Sequence, residues 1–302
     1  MGDSAKGESG SQKAGVLYGL AAYGMWGLFP IYWKSLIAVP SIQILAHRIA
    51  WAFVFTALLM AAMGRREELK ALLSSPKRLW ATAAASVLIT LNWGIYIWAV
   101  NAGHIVETSI GYYLNPLVSV ILGATVLRER LDRGIIAASA IAFVGIAIMT
   151  ISYGKLPWVA LSLAFSFALY GLIKKMAALD ALVGLGAETA FVFPLALGFL
   201  AWEHAAGRGA FGTVGPWQTA LLAMAGVVTA VPLLAYAAGV KRIPLSKMGF
   251  LQYISPTLQL GLGVLVYGES VSGARGVAFL FILAALITFA ATRRAAGKAG
   301  GR

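Results

Sequence analysis

The chain has 302 residues, of which 60% are hydrophobic and 12% charged, with no cysteine, a formal net charge of +13 and a mean hydropathy of +0.82. Soluble domains are nearer half apolar and a quarter charged, so this composition excludes an ordinary soluble domain. The missing thiols exclude disulfide and zinc-thiolate chemistry, and the basic residues fall in short loops between apolar runs, where they report topology and not nucleic-acid binding.

Taken in chain order, residues 1–13 are polar and rich in Gly and Ser and read as a flexible tail. The apolar run that follows from Ala14 is too long for a signal-peptide core and lacks a small-residue cleavage site, so it is expected to remain as the first span. A helix needs about 20 apolar residues to cross the hydrocarbon layer. Ten segments meet that length, beginning near Ala14, Pro40, Leu79, Ile105, Leu131, Leu156, Ala181, Pro216, Leu245 and Ser272. The connections leave no room for a soluble domain. The reading is an all-α polytopic membrane protein, with one transmembrane domain over residues 14–294 and a second short tail at 295–302.

With the N-terminus placed in the cytoplasm, 19 of the 24 Lys and Arg residues fall on the inner side. This bias predicts cytoplasmic termini on both ends of a multi-pass plasma-membrane protein. The chain also repeats itself. Ile110-Gly-Tyr-Tyr-Leu-Asn-Pro116 returns as Phe250-Leu-Gln-Tyr-Ile-Ser-Pro256, and one offset of 140 positions pairs Tyr113 with Tyr253, Pro116 with Pro256, Gly123 with Gly263 and Glu129 with Glu269. The same offset relates Tyr96 to Tyr236 and Lys34 to Lys174. Repeat one is residues 14–153 and repeat two 154–294, five crossings each; an odd number inverts the second half and places a solute site between the halves near the midplane.

Trp26-Gly-Leu-Phe-Pro-Ile-Tyr-Trp-Lys34 and Ala46-His-Arg-Ile-Ala-Trp51, with the Pro116…Gly123…Glu129 pattern and its repeat, resemble the RarD-like branch of the EamA-type drug/metabolite transporters. That resemblance covers nearly the whole chain. It implies a ten-helix inverted-repeat exporter of the bacterial inner membrane, from a superfamily whose members export amino acids, other metabolites and toxic compounds.

Polar residues inside apolar spans are the candidate site. Arg48 lies within the second span, where a charge must face protein or a wet cavity; it reads either as the partner of a substrate carboxylate or as a snorkelling or ion-paired residue. Glu188 holds the equivalent position in the other half and reads as a proton-coupling or a structural group. His47 is a candidate ligand or a helix–helix hydrogen bonder. Asn92 and Tyr96 share one helix face, as do Ser162, Ser166 and Tyr170, and such stripes line cavities or mediate helix packing. Trp26, Tyr113, Tyr253 and Gln252 complete the expected substrate site, while Trp33 and four other span-end tryptophans are expected to anchor in the interface. Pro116 and Pro256 are candidate hinges or static kinks. Glu129 is expected to pair with loop charges and lock a conformation.

No phosphate-binding loop, hydrolase signature or potassium filter is present, and His47, His104 and His204 share no ligand spacing, so neither cofactor nor metal is expected. The expected function is secondary export of a small solute, amino acids including aromatic and hydrophobic ones, by alternating access. Efflux of drug-like compounds is the alternative, and a membrane enzyme or non-transporting sensor a remote one. The partners expected are the solute and membrane lipid, in a monomer or a homodimer.

Overall fold

A computed structural model of the chain describes residues 2–102, 104–266 and 273–299, which leaves Glu269 outside the described residues. Helices account for nearly all of it, and no strand occurs among the described residues. In chain order the helices are α1 (Gly2–Lys34), α2 (Ser41–Ala62), α3 (Arg66–Leu73), α4 (Pro76–Asn101), α5 (Ile105–Thr125), α6 (Arg133–Tyr153), α7 (Trp158–Ala177), α8 (Ala181–Ala205), α9 (Pro216–Arg242), α10 (Leu245–Gln252), α11 (Ile254–Leu265) and α12 (Gly273–Ala299). Seven of them, α1, α2, α4 and α6 to α9, contain stretches long and apolar enough to cross a membrane. Leu58, Phe143, Leu195 and Leu280 point outward with more than 60% of their surface exposed, as expected where hydrocarbon replaces water as the solvent. This is a polytopic membrane protein.

Elements start and stop for local reasons. The Asp132 carboxylate accepts from the Ile135 N–H at 2.9 Å and caps α6. Asp180 accepts from Leu182 and Val183 at 3.0 and 3.2 Å and caps α8. Gly154, at φ 72°, ends α6 in the left-handed conformation that glycine adopts without strain. Helix α1 begins at Gly2, so the polar stretch read from sequence as a tail continues the first helix.

Two features were not expected. The connection between α2 and α4 contains α3, a short helix whose Leu72 is fully buried in a cluster with Val183 and Ala187 of α8. The ninth segment is also not one helix. Pro256 lacks an N–H, and its ring crowds the carbonyl four residues back, so α10 stops at Gln252 and α11 restarts at Ile254. Pro116, its twin, lies within an unbroken α5.

Helix α1 packs on α9 and α11, α2 on α8 and α9, α4 on α7, α5 on α7 and α10, and α6 on α12. Small residues set the closest of these approaches. A Cβ on Gly226 of α9 would overlap the backbone of Trp51 in α2, so only glycine permits that crossing.

Candidate functional site

A cavity of about 610 Å³ lies between α1, α2, α4, α5, α7, α9, α10 and α11. It extends from Tyr23 and Leu233 in the middle of the bundle to the connection after α1, where Ile37 on its rim is 86% exposed. Its mouth is therefore at the end that holds the α1–α2 connection.

The wall is built mainly of aromatic rings, with amides and hydroxyls between them. Helix α1 supplies Trp26 and Trp33, α4 supplies Asn92, Trp93 and Tyr96, and α5 supplies Thr108, Tyr112 and Asn115. The last three follow a helical repeat of four and three residues, so they form one stripe. Helix α11 adds Ser255, Pro256, Gln259 and Gly263 in the same rhythm.

Arg48 is the charged centre of this wall. Its guanidinium carbon lies 4.8 Å from the ring centre of Trp33 and 4.6 Å from that of Trp93, a cation held between two aromatic rings. Its Nε donates to the Thr229 hydroxyl at 3.1 Å, which uses one of five guanidinium donors. Lys34 shares the wall, and no Asp or Glu lines the cavity among the described residues. An aromatic cavity centred on the Arg48 cation favours a solute with an apolar body and an anionic group.

The opposite end is closed by bonds to helix termini. Glu129 accepts from the Leu245 and Ser246 N–H groups at 2.6 and 3.0 Å and so caps α10. Lys175 donates to the Val240 and Ile243 carbonyls at 3.0 and 2.6 Å, satisfying the end of α9. Lys241 donates to the Leu179 carbonyl at 2.6 Å. Gly123 is needed here, since a Cβ at that position would come within 2.6 Å of the Glu129 carboxylate.

Of the residues singled out from sequence, Trp26, Arg48, Asn92, Tyr96, Gln252 and Pro256 line the cavity. Asn92 also bridges helices, donating to Ser166 Oγ and the Leu163 carbonyl, both at 2.9 Å. Ser166 is therefore spent on packing and is not a wall residue. Tyr113 and Tyr253 also lie away from the wall. Both are buried in a cluster with α6 and α12, because a one-residue step turns a helix by about 100° and gives the wall to Tyr112 instead. His47 faces a separate apolar crevice between α2 and α8, with its ring 5.3 Å from that of Phe211. Tyr170 and Glu188 belong to a buried cluster below the cavity, where Lys174 Nζ lies 2.6 Å from Glu188 Oε1 and the Tyr170 hydroxyl donates to Oε2 at 3.1 Å. Lys174, counted from sequence among the loop cations, is only 8% exposed. Glu129, expected to pair with loop charges, instead bonds the first N–H groups of α10.

The sequence reading missed Trp33, placed there in the interface, and the Thr108–Tyr112–Asn115 stripe, whose spacing was available. It also missed Glu107, a buried carboxylate that accepts from the Tyr153 hydroxyl at 2.6 Å and the Val159 N–H at 3.0 Å and ties α5 to α6 and α7.

These features describe a polytopic membrane protein with a central aromatic cavity, and comparison with known proteins identifies it as a transporter. Residues 13–151 match the EamA-like transporter family. The RarD protein of Streptomyces exfoliatus is 45% identical over 91% of this chain and 88% of its own length. An uncharacterized transporter of Bacillus subtilis, YojE, is 46% identical over 92% of this chain and 93% of its own. A solved crystal structure superposes with a TM-score of 0.71 over 92% of this chain and 97% of that one at 19% identity, a likeness of fold alone. The chain belongs to the RarD-like EamA-type transporters.

Proposed function

We propose that this transporter exports amino acids, aromatic and other hydrophobic ones among them, from the bacterial cytoplasm by alternating access between two inverted five-helix halves. The observation that carries the substrate reading is Arg48, a cation held between Trp33 and Trp93 in an aromatic cavity with no lining carboxylate among the described residues. A solute carboxylate takes the guanidinium donors that Thr229 leaves open, and its side chain packs on Trp26, Tyr96 and Tyr112. The Gln252 amide oxygen is buried at this wall with no hydrogen-bond partner among the described residues, and it accepts from the ammonium group.

Two observations support the repeat. With the eight-residue α3 left out and α10 and α11 counted as one crossing, the total is ten, and the 140-residue offset maps α1 to α7, α2 to α8, α4 to α9, α5 to α10–α11 and α6 to α12. The packing respects that mapping: α1 on α9 corresponds to α7 on α4, α5 on α7 to α11 on α1, and α2, α5 and α6 each pack on their own twins. Orientation follows from charge. Arg65, Arg66, Lys70, Lys77 and Arg78 cluster around α3, at the end opposite the cavity mouth, which supports a cytoplasmic closed end and an outward-facing cavity.

Counterflow in proteoliposomes of the purified protein tests this, with labelled phenylalanine, threonine and methionine against chloramphenicol. Saturable exchange of the amino acids, lost in Arg48→Gln, is the expected result. Flux of chloramphenicol alone replaces this reading with drug efflux, which has no need of Arg48.

A further inference from the structure

Beneath the large cavity, at the closed end, is a second space of about 10 Å³, room for about one water molecule. It is lined by Thr82 of α4, Lys174 of α7, Glu188 of α8 and Ala237 and Lys241 of α9. The Lys174–Glu188 pair on its wall is well built. Each side chain is at least 92% buried, the Tyr170 hydroxyl holds the second carboxylate oxygen, and the Ser86 hydroxyl donates to the Glu188 carbonyl at 2.7 Å. A Cβ on Gly184 would lie 3.2 Å from Lys174 Nζ, so that glycine makes room for the ammonium.

The same positions of opposite halves line the two spaces. Lys34 and Arg48 are on the wall of the large cavity, and the 140-residue offset carries them to Lys174 and Glu188 on the wall of the small one. In an inverted repeat, a position that lines the outer cavity in one state has a twin that lines the inner cavity in the other. The pair thus faces the cytoplasm when the closed end opens. The one difference between the twins is chemical: two cations on the outer side, a cation and an anion on the inner.

We propose that Lys174 and Glu188 form the solute's recognition site on the cytoplasmic side, and that the site takes a zwitterion in exchange for its own ion pair. The solute carboxylate replaces Glu188 on Lys174, and the solute ammonium replaces Lys174 on Glu188. One neutral buried pair becomes two, so no charge is left uncompensated. A ligand with a carboxylate alone or an ammonium alone strands one buried charge, and that is strongly disfavoured. The inference rests on the transport reading above and narrows its substrate class to molecules that carry both charges.

The test is competition against labelled phenylalanine exchange in oriented proteoliposomes, with competitor on one face at a time. Phenylalanine, 3-phenylpropionate and phenethylamine are the competitors, and Glu188→Gln and the neutral pair Lys174→Met/Glu188→Met are the variants. In the wild type, unlabelled phenylalanine should compete from the cytoplasmic face at least about tenfold better than either singly charged analogue. Glu188→Gln leaves Lys174 without its carboxylate, so 3-phenylpropionate should gain at least about tenfold relative to phenylalanine on that face, with no comparable change on the outer face. The neutral pair should raise the cytoplasmic half-saturation for phenylalanine at least about tenfold and preserve the outer one. Exchange that persists in both variants with the wild-type preference and half-saturation would assign the pair to structure and overturn the site. Absence of phenylalanine exchange in the wild type would overturn the amino-acid reading itself, and this site with it.

Discussion

Removal of the Glu129 carboxylate should loosen the closed end of the bundle by a calculable amount. Glu129 accepts the first two free N–H groups of α10 at 2.6 and 3.0 Å, and no side chain caps that helix from its own N-cap, Pro244. Losing a side-chain cap costs about 0.5–2 kcal/mol, and the negative charge at a helix N-terminus adds about 0.3–1 kcal/mol. A total of about 1–3 kcal/mol shifts the equilibrium between closed and open ends by about 5- to 150-fold. The chain has no cysteine, so a thiol introduced at Thr82, on the wall of the small inner space, is the sole target for a maleimide added from that side. In Glu129→Ala the labelling rate at Thr82→Cys should rise by about that 5- to 150-fold, while Glu129→Gln, which keeps an acceptor, should rise less. The reasoning fails if Glu129→Ala labels at the rate of the parent while retaining the parent's thermal midpoint.

Other expectations can be checked with the same preparation. Trp33→Ala or Trp93→Ala removes one ring from the Arg48 sandwich and should raise the half-saturation for a carboxylate solute by about 2- to 30-fold, corresponding to about 0.5–2 kcal/mol per cation–π contact. Gly226→Val forces a side chain against the Trp51 backbone and should destabilise the α2–α9 crossing by about 1–3 kcal/mol or more, read as a lower melting temperature in detergent. Pro256→Ala restores the N–H and removes the ring that ends α10, so hydrogen exchange at residues 252–256 should slow if the break is due to the proline. The Arg65 guanidinium, hydrogen-bonded to Glu68 at 2.7 Å on the exposed α3, holds that carboxyl below the usual carboxylate range. A depressed pKa stabilises above the unfolded value and is lost as pH falls through the folded one, so any difference in melting temperature between Glu68→Ala and the parent should vanish in acid.

The polytopic membrane class and the transport class were legible in the sequence because both rest on one-dimensional quantities. The length of each apolar run, the loop positions of Lys and Arg and the 140-residue echo need no coordinates. Arg48 was legible for the same reason, since a charge in an apolar span must find a cavity or a partner wherever the helix is placed. The rotation of each helix was not. In a membrane protein the lipid-facing and core-facing sides are both apolar, so the polarity contrast that orients a helix in water is weak. Tyr113 was therefore preferred over its neighbour Tyr112, and Trp33 was read as an anchor when it stacks on Arg48. Tertiary packing alone decided that Lys174 and Glu188, 14 positions apart on different helices, meet at 2.6 Å, and that Glu129 reaches a helix more than 100 residues further along the chain. Such pairings depend on which faces the packed helices turn toward each other, and hydropathy, summed along the chain, does not contain that angle.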